Sequence, residues 1–182
     1  GTLNIDRDTT PGIALGTGAN SLLALNVLTT RTLTMNANNI DALTTTLSGS
    51  GSILTLTSGT ITGNVVLGNA TATLNLGTGA VSGTINSTGS AGGILNFTAS
   101  NTLGGNIGGT DGTTSLTTIT VQDGSTVTAG TNTIRATTLN VGTVASGAAA
   151  SGTLTLGGGA YNVGTTNLTG ATSVFNGANS AI

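Results

Sequence analysis

A short phrase of alternating apolar and small polar residues returns along this chain at intervals of about twenty residues. A period of this size is typical of a solenoid, in which each repeat buries its apolar face only against its neighbours. The phrase therefore predicts stacked turns that grow along one axis instead of a fold built around one centre. It occurs at residues 2–5, 32–35, 53–56, 73–76, 94–97, 118–121, 138–141 and 153–156.

A second, glycine-centred phrase follows the first in three consecutive repeats, at 61–65, 81–85 and 103–107. Two phrases per repeat predict at least two strands per turn. The central glycine is expected at a corner or bulge, where a Cβ would clash or φ must be positive. We therefore predict an all-β fold, a parallel β-solenoid with about twenty residues per turn.

Within each phrase the alternation indicates which side chains face the core. Residues two apart on a strand share a face, so Leu74 and Leu76 are expected to point inward and Asn75 outward. The abundant Thr, Asn, Ser and Gly are poor helix formers, and no stretch keeps a helical apolar period. With strands about 4.8 Å apart, roughly eight or nine turns would form a rod of about 40 Å.

The spacing of the phrases is not strictly regular. The step from Leu95 to Ile119 is longer than the others by about three residues, and that from Leu139 to Leu154 is shorter by about five. We expect the insertions to lie in corners of the solenoid. The irregular steps argue against a strictly periodic lattice of surface residues.

The composition excludes several classes of partner. Charged residues make up 4% of the chain, against about 25% in ordinary domains, and Arg7, Arg31 and Arg135 are its basic side chains. Nucleic acid is bound through runs of Lys and Arg, so no nucleic-acid partner is expected. The chain is 36% hydrophobic with phased aliphatic residues, which favours a packed core over disorder. No apolar run reaches the roughly eighteen residues of a membrane helix.

The two termini of the sequence lack the usual signals. The chain opens at Gly1 without an initiator Met or a secretion signal, and it ends at Ile182 without a capping pattern. We expect residues 1–182 to form a single β-solenoid segment of a larger, processed repeat protein. The absence of Cys excludes a disulfide framework and thiolate metal sites.

Catalysis has few side chains to use, because the chain lacks His, Cys, Glu and Lys. Only Asp6 and Asp8 are close in sequence among its acidic residues, and on a strand both would face the same way. One side of a calcium site or a carboxylate pair is one interpretation, and a solvated turn before Pro11 is the favoured one. Asp111-Gly112 and Asp123-Gly124 are interpreted as turn dipeptides. We predict no catalytic residue, no metal and no cofactor.

The outward residues of the phrases are the one group of candidate site residues whose pattern exceeds what the composition gives by chance. Stacked on a parallel sheet they would make a Thr and Asn column whose amides bond between turns, which is a structural ladder. The same column is also a flat, uncharged surface for contact with another molecule, another copy or ice, although Asn and Ile interrupt the Thr-x-Thr spacing of ice-binding solenoids. The candidate contact surface comprises Thr34, Thr55, Asn75, Asn96, Thr120, Asn140 and Thr155, preceded by Asn4. A second column beside it comprises Thr2, Thr32, Thr73, Thr118, Thr138 and Thr153.

The amino-acid sequences of several repeats resemble those of a known family. The segments 93–98 (GILNFT), 103–108 (LGGNIG) and 136–141 (ATTLNV) resemble passenger regions of bacterial autotransporters, in particular surface antigens of the rickettsial outer-membrane protein B type. The resemblance implies export across two membranes, a right-handed parallel β-helix, and a role in adhesion or in a surface coat. It carries over no individual site residue.

These observations together predict a non-enzymatic structural or adhesive segment of a secreted bacterial cell-surface protein, placed outside the cell. Its expected partners are other copies or adjoining repeats end to end, and surface molecules of a host or a neighbouring cell. One alternative is a self-assembling filament or surface-layer subunit, because solenoid ends expose strand edges. Less favoured alternatives are a polysaccharide-acting β-helix enzyme and an ice-binding solenoid.

Overall fold

The computed structural model of the chain is a stack of β-strands in which the strand pairs are parallel. Among the described residues, no helix has the length and apolar character needed to cross a membrane. The structure describes residues 1–18, 21–89, 92–109, 114–142, 151–169 and 172–177.

The strands within the described ranges form three sheets. The first sheet contains β1 Thr2–Ile5, β2 Leu22–Val27, β4 Ile40–Leu47, β6 Thr60–Leu67, β8 Ala80–Val81 and β9 Ile85–Ser87. The second sheet contains β3 Thr32–Met35, β5 Ile53–Leu56, β7 Thr73–Leu76, β10 Ile94–Phe97, β12 Leu116–Val121, β14 Ile134–Val141 and β16 Tyr161–Leu168. The third sheet contains β11 Asn101–Thr102, β13 Thr126–Gly130, β15 Thr153–Leu156 and β17 Val174–Asn176.

Successive strands of one sheet lie about 21 residues apart in the chain, and the stack has about seven turns. The β-solenoid predicted from the repeated phrase is therefore confirmed. At about 4.8 Å between strands, this number of turns gives a rod of roughly 30 Å, shorter than the 40 Å expected from the sequence.

The core consists of aliphatic columns that run along the rod. Leu74, Leu95 and Leu139 are fully buried, as the alternation within each phrase predicts. Full burial of one such side chain stabilises the fold by roughly 1.5–3 kcal/mol. The stacked columns therefore stabilise this chain as a single central core stabilises a globular domain. The two inward columns of the second sheet are Leu33, Leu54, Leu74, Leu95, Ile119 and Leu139, and Met35, Leu56, Leu76, Phe97, Val121 and Val141.

The glycines of the second phrase lie at a tight corner, as predicted. Gly63 has a φ of +96°, and a Cβ there would lie 2.1 Å from the carbonyl oxygen of Ala42. On the next two turns, a Cβ at Gly83 would lie 2.4 Å from the oxygen of Gly63, and one at Gly105 would lie 2.5 Å from that of Gly83. Backbone therefore stacks on backbone at this corner, which leaves room for no side chain.

The first and last copies of the phrase are not where the sequence places them. Residues 2–5 form β1 on the first sheet, and residues 153–156 form β15 on the third sheet. Counting these two copies as turns of the second sheet overestimates the number of turns, because each lies on another sheet. The same alternation suits every inward-facing strand, so the phrase by itself does not identify its sheet.

The two irregular steps have different origins. Leu95 pairs with Ile119, so the longer step is confirmed. The Gly109 N–H bonds to the Thr114 carbonyl, and residues 110–113 between them lie outside the described residues. The shorter step is wrong, because Leu139 pairs with Thr166 and not with Leu154. The turn between β14 and β16 therefore contains more residues than the turns before it, and not fewer.

Candidate contact surface

Six of the seven predicted contact residues form one continuous column on the outside of the second sheet. Each lies directly opposite the next on the neighbouring strand, without a shift of register. Asn140 is followed by Asn167 of β16, which extends the column by one strand. We call this the Thr/Asn column, and it consists of Thr34, Thr55, Asn75, Asn96, Thr120, Asn140 and Asn167.

A second outward column runs beside the first, two residues earlier on each strand. We call it the flanking column, and together the two columns make up the second-sheet face. The sequence placed Thr32, Thr73, Thr118 and Thr138 here, and the structure adds Ile53, Ile94 and Thr165 on the remaining strands. The face is therefore two columns wide and seven strands long.

Side-chain amides connect consecutive strands of the Thr/Asn column. Asn75 Nδ2 donates to Thr55 Oγ1 at 3.2 Å, and Asn96 Nδ2 donates to Asn75 Oδ1 at 2.9 Å. At the other end, Asn167 Nδ2 donates to Asn140 Oδ1 at 2.8 Å. These bonds confirm the predicted ladder and hold the amides in fixed orientations.

Thr155 is the predicted contact residue that the structure does not bring to this face. It lies on β15 of the third sheet, opposite Thr128 on one side and Asn176 on the other. Asn4 also lies elsewhere, on the first sheet, where its Oδ1 accepts a bond from Asn26 Nδ2 at 2.8 Å.

Asn167 was missed because its strand breaks the repeated phrase. The inward position next to it is occupied by Thr166, which pairs with the buried Leu139 of the preceding turn. A search for apolar residues two apart therefore skips this strand. The Thr-x-Asn spacing of Thr165 and Asn167, the same as that of Thr138 and Asn140, is the signal that could have found it.

The second-sheet face carries no charge, since none of the residues in its two columns is ionisable. The hydroxyls of Thr34, Thr118, Thr120 and Thr138 have no partner within the described part of the chain. Side chains of both columns are half-buried on most strands, because each packs against its neighbours above and below. The face is therefore an uncharged array of methyl, hydroxyl and amide groups.

The acidic residues near the N-terminus contact different partners. Asp6 lies 3.6 Å from the Arg7 guanidinium, and both side chains are largely exposed. Asp8 Oδ1 instead accepts a bond from the backbone N–H of Thr32 at 2.9 Å, which ties the N-terminal segment to β3. No group of three or more potential metal-binding side chains occurs in the ranges that the structure describes.

The predicted turn at Asp123-Gly124 is confirmed. Gly124 has a φ of +74°, and the N–H of Ser125 bonds to the carbonyl of Gln122 at 3.1 Å. The similar prediction for Asp111-Gly112 lies outside the described residues.

An open groove lies where β8 of the first sheet meets the third sheet. Its volume is about 490 Å³, and Thr78, Ser100, Thr102 and Thr128 are among the residues that line it. No side chain of the lining set can take up or release a proton near neutral pH. The Asn101 amide is already engaged, since it donates to the Gly79 carbonyl. The groove therefore presents hydroxyl and methyl groups and no ionisable side chain.

Tyr161 is the one ionisable side chain in the last turn of the second sheet. Its hydroxyl bonds with Thr166 Oγ1, and its ring packs against Phe175 at a centroid distance of 5.0 Å. Burial raises the pKa of Tyr161 above 10.0, and the bond with Thr166 offsets part of that increase. The residue is neutral at physiological pH and acts as a packing group.

Comparison of the chain with protein-family models, with curated proteins and with solved structures yields no match. The resemblance of segments 93–98, 103–108 and 136–141 to autotransporter passengers therefore remains a prediction from the sequence. What the chain does must be argued from its own surface.

Proposed function

We propose that this chain is a non-enzymatic, structural and adhesive segment of a secreted bacterial cell-surface protein, which acts outside the cell. The observation that carries the proposal is the second-sheet face, an uncharged array that continues over seven strands. A stack of turns is suited to projecting such a face from a surface, because its length grows with each repeat. The wording of the repeats supports the same class of protein.

The chemistry of the described residues agrees with a scaffold. The groove beside the third sheet is lined by hydroxyls without an acid or a base, and general acid–base catalysis needs at least one such group. Asp6 and Asp8 have separate partners, in Arg7 and in the backbone of Thr32. The proposal therefore assigns function to an extended surface and not to a pocket.

Adhesion is tested by displaying the 182-residue chain on a non-adherent laboratory bacterium. We expect the displaying cells to be retained on cultured host cells or on neighbouring bacteria more strongly than cells without the chain. Thr55→Lys places a charge in the middle of the second-sheet face and is expected to reduce retention. Thr155→Lys, a matched change on the third sheet, is expected to leave it unchanged.

Two results would contradict the adhesive role. One is retention equal to that of cells that do not display the chain. The other is equal loss in the Thr55→Lys and Thr155→Lys variants, both shown to be folded by circular dichroism, since this would place the contact away from the second-sheet face.

The last turn favours a second candidate, a filament or surface-layer subunit built by end-to-end stacking. Leu168 occupies an inward position opposite Val141, yet it is 52% exposed where Val141 is fully buried. Phe175, in the matching position on the third sheet, is also incompletely covered. A turn supplied by another copy or by an adjoining repeat would cover both side chains.

Electron microscopy of the isolated chain separates the two candidates. Filament assembly predicts rods that lengthen with protein concentration, and Leu168→Asp should return them to single rods because it charges the covered end. Short rods of uniform length at every concentration would reject the filament and leave the adhesive segment.

A further inference from the structure

We infer that the second-sheet face binds ice. The inference rests on the proposal that this face is the contact surface of the chain, and it adds ice to the cell surfaces named above. The surface of an ice crystal is a flat, neutral lattice of water molecules, each able to donate and to accept hydrogen bonds.

Neither column carries the side chains on which the tightest protein, nucleic-acid and membrane contacts usually depend. Protein interfaces depend on Trp, Tyr and Arg anchors, and nucleic acids or anionic membranes require clusters of Lys and Arg. None of these occurs in either column. Sugar rings are bound by stacking on aromatic side chains, but the three aromatic residues occupy inward positions: Phe97 is buried, and Tyr161 and Phe175 pair with Ile134 and Leu154.

The face is also regular. Its strands keep one register from β3 to β16 at the positions of both columns, whereas the pairs β4–β6 and β13–β15 contain shifts. Groups two residues apart on a strand are about 6.6 Å apart, and neighbouring strands repeat at about 4.8 Å. The two columns therefore present side chains at regular intervals in both directions.

Because the face is regular, the irregular spacing of the phrases in the sequence no longer argues against a periodic array of surface residues. Leu95 and Ile119 pair directly, although the step between them is longer than the others. The apparent shortening before Leu154 does not affect the face, because β15 belongs to the third sheet. Variation in the number of residues per turn therefore does not shift the register of the second-sheet face.

The groups on the face suit bound water. The hydroxyls of Thr34, Thr118, Thr120 and Thr138 are free of partners in the described chain, so they can bond to water of the crystal. The threonine methyls and the side chains of Ile53 and Ile94 alternate with them. Apolar groups restrict the orientation of adjacent water, which favours an ordered layer. The amide bonds hold Asn75, Asn96 and Asn167 in fixed orientations, so little conformational entropy is lost at these positions on binding.

The test measures partition of the intact chain into growing ice. A cold probe is immersed in a solution that contains the chain and an inert protein of similar size, and both are measured in the ice fraction. We expect the chain to be enriched in ice and the inert protein to be excluded. Ice crystals grown in the presence of the chain should show shaped faces, together with a gap between melting and freezing temperatures.

The variant Thr120→Tyr tests whether the second-sheet face is responsible. A tyrosine in the middle of the column raises a ring above a flat surface while keeping a residue that suits strands. The matched control is Thr155→Tyr, which makes the same change between two buried aliphatic residues on the third sheet. We expect Thr120→Tyr to lose enrichment in ice and Thr155→Tyr to retain it, with unchanged circular dichroism in both.

Three results would overturn the inference: no enrichment of the wild-type chain, full enrichment of a folded Thr120→Tyr variant, and equal loss in both variants. These results are separable from failure of the proposed function, because the cell-retention assay contains no ice. Retention on cells without enrichment in ice would reject the ice inference alone. Enrichment in ice without retention on cells would uphold the inference and reject cell adhesion.

Discussion

The middle and the last turn of the second sheet share a strand pattern but differ in what surrounds it. The middle strand β10 is paired on both sides, with β7 and β12, and its inward residues Leu95 and Phe97 are at most 1% exposed. The last strand β16 pairs with β14, and Leu168 at an inward position is 52% exposed. In a solenoid, the contribution of a side chain to stability therefore depends on the turns above and below it more than on its own strand.

Removal of an inward leucine should give the largest difference between the two turns. We expect Leu95→Ala to lower the free energy of unfolding by about 2–5 kcal/mol, because it opens a cavity between two packed turns. Leu168→Ala should cost less than about 1 kcal/mol, since half of that side chain is already in water. Midpoints of urea unfolding followed by circular dichroism measure both. Equal losses would show that the last turn is covered in solution.

Addition of a methyl group at a glycine should give the next largest difference. A Cβ at Gly83 would lie 2.4 Å from the Gly63 oxygen, so we expect Gly83→Ala to destabilise the fold by roughly 1–3 kcal/mol. A Cβ at Gly164 on β16 would lie 3.0 Å from the Thr137 oxygen, and this edge strand can move outward. Gly164→Ala should therefore change the thermal midpoint only slightly. A Gly83→Ala variant as stable as the wild type would contradict the steric account of the corner.

Loss of a ladder amide should have a smaller effect. Asn96→Ala removes the bond to Asn75 on a half-buried surface, and we expect a loss of about 0.5–1.5 kcal/mol. Asn167→Ala removes the corresponding bond to Asn140 at the exposed end, and water replaces it more easily. The same unfolding series measures this pair. A greater loss for Asn167→Ala would mean that the ladder matters most at the end of the stack.

The smallest expected effect concerns pH. The pKa of Tyr161 is raised in the folded chain, so the unfolded chain loses this proton first as the solution becomes alkaline. The corresponding stability is complete below the unfolded pKa of about 10 and is lost as pH rises through the folded value. We expect a constant melting temperature between about pH 6 and 9, followed by a fall.

Tyr161→Phe is the control for the alkaline fall, because it keeps the ring and removes the ionisable hydroxyl. The fall should be smaller in this variant than in the wild type. The middle turn around β10 has no ionisable residue on its strand, so local probes there should respond later than probes at β16. An equal fall in both proteins would assign the alkaline sensitivity to another part of the chain.

Much of the contact surface could be predicted from the sequence, and the two errors of that prediction have a common cause. Thr34, Thr55 and Asn75 follow from alternation within a strand, which is a local property. The inclusion of Thr155 and the omission of Asn167 are errors about which strand lies next to which. Strand neighbours are set by the path of the chain around the corners, and the phrase carries no record of that path.

The sequence by itself determined that this chain forms parallel stacked turns, with aliphatic columns inside and Thr and Asn outside. Alternation and a repeat of about 21 residues are enough for that, because each turn can bury its apolar residues only against a similar one. Only the tertiary structure decided that the described strands form three sheets and that β1 and β15 lie outside the second sheet. It also decided that the face keeps its register although the number of residues per turn varies. The physical reason is that backbone pairing and corner packing, as at Gly63 and Gly83, select the neighbours of each strand.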